Sequence, residues 1–152
     1  MKKNALLVLV LSALSALSGW LLSKASLIGK AGISLFYKEY RFLKTWWQGA
    51  LTVFIVLLIL WLLQGIGQRK LNKHKANMLH ISMLLLSMIG LYFTYYDFRH
   101  TISHHLLGER FHLGAYLFWI GWMIISLFYL TQNKEHEEER RHITIPEEEQ
   151  KP

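Results

Sequence analysis

The chain has no cysteine, which removes disulfides, thiolate metal centres, CxxC redox chemistry and covalently attached c-type haem from the possible explanations of its function. Proline is almost as scarce: Pro146 and Pro152 are its only examples, and both lie close to the C-terminus. No apolar stretch is therefore broken by proline in the manner of many carriers, and no inverted repeat is visible, so transport by this chain alone has little support. Acids are few, 10 against 17 lysines and arginines. The surplus cations sit in the connections between apolar stretches. Anionic lipid headgroups are accordingly the expected partners, and nucleic acid is not. A Walker loop, a GxSxG elbow, an HExxH helix and a dinucleotide fingerprint are all missing.

What is present is hydrophobic: 53% of the residues are apolar and 14% aromatic. They concentrate in four blocks without Asp, Glu, Lys or Arg, namely Asn4 to Ser23, Thr45 to Gln68, Ala76 to Tyr96 and Phe111 to Asn133. Helices of about 20 residues at ~1.5 Å per residue cross a hydrocarbon core of ~30 Å. A soluble protein of this length would have too little chain left to cover four of them. The expected fold is all-α: an integral membrane four-helix bundle with spans near 4–23, 46–67, 76–97 and 111–132, followed by a charged, disordered tail over 134–152.

The first block begins like a secretory signal, with Lys2 and Lys3 ahead of Ala5 to Leu14 and a possible cleavage site at Ala16-Leu17-Ser18. Its apolar run continues through Trp20 to Leu22, long enough to span, which favours an uncleaved anchor. Cleavage would leave three spans. Orientation follows from the short second connection, where Arg69, Lys70, Lys73 and Lys75 mark a cytoplasmic loop. With four spans both termini are then cytoplasmic, in the inner (plasma) membrane. Lys24, Lys30, Lys38, Arg41 and Lys44 in the first connection argue the other way. In that connection Ile33, Phe36, Tyr37, Tyr40, Leu43 and Trp47 recur at helical spacing, which predicts a short amphipathic helix lying in the interface between spans one and two.

Inside a bilayer, helix contacts are marked by small and polar residues, because apolar side chains gain little by leaving lipid for each other. Ser12, Ser15, Ala16 and Gly19 form such a stripe in the first span, and Gly114 and Gly121 stand two turns apart in the fourth. In the third, His80, Ser87 and Thr94 repeat every seven residues, with Gly90 on the same line. These three are the expected intramembrane polar residues of the bundle interior. The second span shows no comparable stripe and reads as the most lipid-exposed helix, or as one that faces a partner.

Of eight histidines, His100, His104, His105 and His112 crowd the third connection, with Asp97 and Glu109 among them. If the third helix runs on through His105, then Asp97, His100 and His104 share a face, and His112 returns at the start of the fourth span. Imidazole and carboxylate at such spacing suit zinc, iron or copper. His100-x-x-x-His104-His105 resembles one histidine box of the membrane fatty-acid desaturases and hydroxylases, a resemblance covering only this hexapeptide and without a second box. The bland reading is a set of interfacial side chains bonded to water, headgroups and backbone; a pH-responsive interface is a third. His80 lies about one turn inside its span, where an ionisable group is a functional candidate by default. A haem would need a second axial histidine at matching depth, so a neutral interhelical hydrogen bond is the expected role. A transition metal is thus the only cofactor the pattern suggests, and the expectation is that none is bound. The functional expectation is a non-enzymatic small membrane subunit or assembly factor, with lipids and other membrane subunits as partners. The alternative is a metal-dependent or redox membrane protein using the outer histidines.

Overall fold

The computed structural model describes the backbone of residues 2–24, 45–100 and 109–148, and the side chains of 3–24, 45–97 and 112–132. The described residues form an all-α fold of four helices: α1 (Lys2–Ser23), α2 (Trp46–Lys70), α3 (Lys73–His100) and α4 (Glu109–Glu148). Each contains a stretch long and apolar enough to cross a membrane: Lys3–Ser23, Trp46–Lys70, Lys73–Asp97 and His112–Gln132. The amphipathic helix expected between the first two spans lies outside the described residues. α4 does not stop at the fourth span. Its backbone is helical through Glu148, where the composition alone leads to the expectation of a disordered tail.

Two residues join α2 to α3. Leu71 is extended (φ −94°, ψ 150°) and donates its N–H to the Gly67 carbonyl at 3.0 Å, ending α2. The Asn72 carbonyl then accepts from the Ala76 N–H at 2.9 Å, opening α3. So short a connection makes the two helices antiparallel neighbours. Asn4, Arg69 and Gln132 line one cavity, so the start of α1, the α2–α3 hairpin and the end of the fourth span share one end of the molecule. We call it the hairpin end.

α1 packs on α2 and α4, α3 packs on α4, and α2 and α4 run parallel through the middle. The core joins Leu7, Leu11 and Leu22 of α1 to Val53 and Leu57 of α2 and Ile125 and Tyr129 of α4. Close approach depends on two glycines. A Cβ on Gly19 would collide with the backbone of Ala50 and the Trp46 carbonyl, and one on Gly114 would sit 2.9 Å from the Ser18 carbonyl oxygen. At the second contact the Ser18 hydroxyl donates to the Gly114 carbonyl at 2.7 Å.

One expectation about helix faces changes. In α1, Ser15 and Gly19 face the interior, but Ser12 and Ala16 are exposed, and the rest of the buried stripe is Leu7, Leu11, Ser18 and Leu22. Ser12 satisfies its hydroxyl locally on the Val8 carbonyl, 2.8 Å away, and so has no need of a neighbouring helix. α2 and α3 are the two least buried spans, yet α2 has an inward side that no stripe of small residues marks. It buries Gly49, Val53, Leu57 and Gln64 along one side, and Leu57 is seated against Gly121 of α4. The small residue of that contact belongs to the partner helix, so α2 carries no small-residue stripe of its own. Outward, the helices present large apolar side chains, among them Leu6, Leu9, Ile59, Leu85 and Phe93. Water would not tolerate so continuous an apolar surface on a monomer.

Candidate functional site

The most polar part of the interior is a layer one to two turns from the hairpin. His80 of α3 is fully buried, at 0% exposure. Its Nδ1 lies 3.0 Å from Gln64 Oε1 and its Nε2 2.9 Å from Gln68 Oε1. Gln64 and Gln68 are one helical turn apart, so a single face of α2 holds both nitrogens of the ring. Gln64 Nε2 donates to Ser126 Oγ at 3.2 Å, and the Ser126 hydroxyl donates to the Trp122 carbonyl at 3.3 Å. That chain of donors fixes the ring. Because the serine proton is committed to Trp122, its oxygen must accept, so Gln64 turns its amide nitrogen to Ser126 and its carbonyl to His80. Nδ1 therefore carries a proton, and in the neutral ring Nε2 accepts, which requires Gln68 to present its amide nitrogen there in place of its carbonyl.

Tyr129 of α4 closes the layer from the other side. Its ring stacks on His80 at 5.1 Å between centroids, and its hydroxyl donates to the Trp61 carbonyl at 3.1 Å. Burying an unpaired amide or imidazole costs on the order of 2–7 kcal/mol. Each hydrogen bond made inside a membrane protein returns about 0.6–2 kcal/mol. The larger number belongs to failure, so the layer acts mainly by penalising any arrangement in which α2, α3 and α4 lose register.

Ser87 and Thr94 continue the inward line of α3. Ser87, also 0% exposed, bonds the Leu84 carbonyl at 2.7 Å. Thr94 donates to the Gly90 carbonyl at 2.8 Å while accepting from Trp119 Nε1 at 2.9 Å. Sequence reasoning missed Gln64 and Gln68. The signal was present: two amides at i and i+4 in an otherwise aliphatic span.

The metal candidates are far from this layer. Asp97, exposed near the end of α3, is 17 residues from His80, about 25 Å along a helix. His112, half-buried, opens the fourth span at that same end of the molecule. His100 is the last residue of α3, with a side chain outside the described set, and His104 lies wholly outside it. Among the described residues, no group of three metal-ligating side chains comes together.

Two cavities open among the described residues. A lateral groove of about 470 Å³ runs between α3 and α4, lined by Met88, Leu91, Tyr92, Tyr95, Tyr116, Ile120 and Met123. A smaller vestibule of about 230 Å³ opens at the hairpin end, where Gln68 and Tyr129, both partners of His80, form part of its wall. No protein-family model, curated protein or solved structure matches this chain.

Proposed function

We propose that this chain is an integral membrane protein of the inner (plasma) membrane, with both termini cytoplasmic, acting as a non-enzymatic small subunit or assembly factor of a larger membrane complex. The observation that carries the reading is the division of α3 into two faces. On the inward face His80 bonds Gln64 and Gln68, Thr94 bonds Trp119, and Ser87 bonds the backbone of its own helix. What α3 and α4 turn outward is the groove of methionine and tyrosine. Both residue types are enriched at protein interfaces, methionine because it adapts its shape and tyrosine because its ring is a large, rigid body. A transmembrane helix of another subunit is the occupant this lining suits.

One placement favours the second reading, a metal-dependent or redox protein. Asp97 and His112 stand at the same end of neighbouring helices, and His100 and His104 lie between them in sequence. Purification of the full chain in mild detergent, followed by elemental analysis and an absorption spectrum, separates the two. A defined partner at constant ratio without bound metal supports the subunit reading. Stoichiometric zinc, copper or iron, or a haem band, overturns it in favour of the second.

A further inference from the structure

The vestibule at the hairpin end has an amphipathic wall. Its polar part is Asn4, Gln68, Arg69, Gln132 and the Tyr129 hydroxyl; its apolar part includes Leu62 and Ile66. Among the described residues Arg69 is its only charged lining residue. Asp97, at the far end of the molecule, is the only acid among the described side chains, whereas Lys3, Lys70, Lys73 and Lys75 surround the hairpin end. The described side chains around the hairpin end are thus cationic. A guanidinium beside a partly apolar cavity favours a planar or tetrahedral oxyanion that it can grip with two N–H groups.

The source of that oxyanion is indicated by the apolar part. Leu62 and Ile66 are 48% and 50% exposed, so the cavity is continuous with the outward surface of α2. A free inorganic anion would leave this side uncovered. A glycerophospholipid would not, because its phosphate and first methylenes are joined. We propose that the vestibule binds one anionic glycerophospholipid. Arg69 holds its phosphate, the Asn4 and Gln132 amides lie within the same polar wall, and an acyl chain descends along Leu62 and Ile66. Basic pockets between spans at a cytoplasmic surface are where such headgroups are held. The inference rests on the membrane-spanning reading and is independent of any protein partner.

Native mass spectrometry of the full chain in detergent, titrated separately with phosphatidylglycerol, phosphatidylcholine and glycerol 3-phosphate, tests it. The wild type is expected to retain one phosphatidylglycerol in preference to phosphatidylcholine. Arg69→Gln is expected to weaken that binding about ten-fold, the loss of one charge-assisted contact. Lys70→Gln, which removes an adjacent charge outside the cavity wall, is expected to leave it within about two-fold, a difference small on the same scale. Arg69→Lys, which keeps the charge, guards against a folding defect and is expected to fall between wild type and Arg69→Gln. Equal losses in Arg69→Gln and Lys70→Gln would mean diffuse attraction by the basic loop and would overturn the proposal. So would equal retention of phosphatidylcholine, or binding of glycerol 3-phosphate as tight as that of the lipid.

Discussion

His80 of α3 and Tyr129 of α4 lie nearly parallel, 5.1 Å between ring centroids at 11°, while α2 holds both nitrogens of the imidazole. Three helices thus meet on one side chain. Replacing Gln64 by Leu is expected to destabilise the protein by about 1–3 kcal/mol, because a buried ring N–H loses its acceptor. His80→Leu is expected to cost a similar amount. The double change is expected to cost less than the sum, because neither partner then remains unsatisfied. Unfolding by denaturing detergent measures all three, and strict additivity would show that the two side chains do not interact.

The contact of α1 with α2 makes a sharper demand on side-chain size. A methyl group on Gly19 would meet backbone, which cannot rotate away. Gly19→Ala is therefore expected to cost about 1–3 kcal/mol through overpacking. Ala16→Leu, one turn earlier on the exposed side, is expected to be close to neutral. Equal effects in the same unfolding assay would remove the proposed approach of the two backbones.

The aromatic end of the α3–α4 contact supplies a third comparison. Trp119 Nε1 donates to Thr94 Oγ1 at 2.9 Å, and the same indole leaves no room for a Cβ on Gly90. Thr94→Val removes an acceptor at nearly constant volume and is expected to cost about 0.6–2 kcal/mol. Gly90→Leu displaces the indole and is expected to shift the tryptophan emission, whereas Ile89→Leu, on an exposed position, is not. An unchanged spectrum for Gly90→Leu would contradict the contact.

Much of this architecture is legible in the residues because charge is excluded from long stretches: each helix contains one of the four blocks lacking Asp, Glu, Lys and Arg, or most of it, as its apolar span. The inward line of α3 is legible for a related reason, since His80, Ser87 and Thr94 repeat at seven. The partner face of α2 was not. Leu57 packs in the notch made by Gly121, so a contact between two helices needs a small residue on only one of them. Gln64 and Gln68 escaped notice because each amide looks minor alone; the geometry that matters is their joint grip on His80. In α1, counting small residues gave weight to Ser12, whose hydroxyl is satisfied within its own helix. The charged composition after Lys134 leaves both a prolonged fourth helix and a solvated tail open, and the backbone of α4 is helical through Glu148.

The placement of the termini yields a fourth expectation. The absence of cysteine gives a clean background for single-cysteine labelling. Cysteines at Lys73 and at Lys134 are expected to be reached by a membrane-impermeant reagent only from the cytoplasmic side, and cysteines at Lys38 and His104 only from the outer side. Labelling of Lys73 and Lys134 from opposite sides would break the even-span arrangement.

The central claim is that the Met- and Tyr-lined groove of α3 and α4 receives a helix of another membrane subunit. A photo-crosslinking residue placed at Met88 in the native membrane tests this most directly, with one at exposed Ile59 of α2 as the reference. The expected result is a single protein adduct of constant mass from Met88, absent from Ile59, whose assembled complex falls when this chain is deleted. Adducts to lipid alone from both positions, or the same mixture of proteins from each, would contradict it.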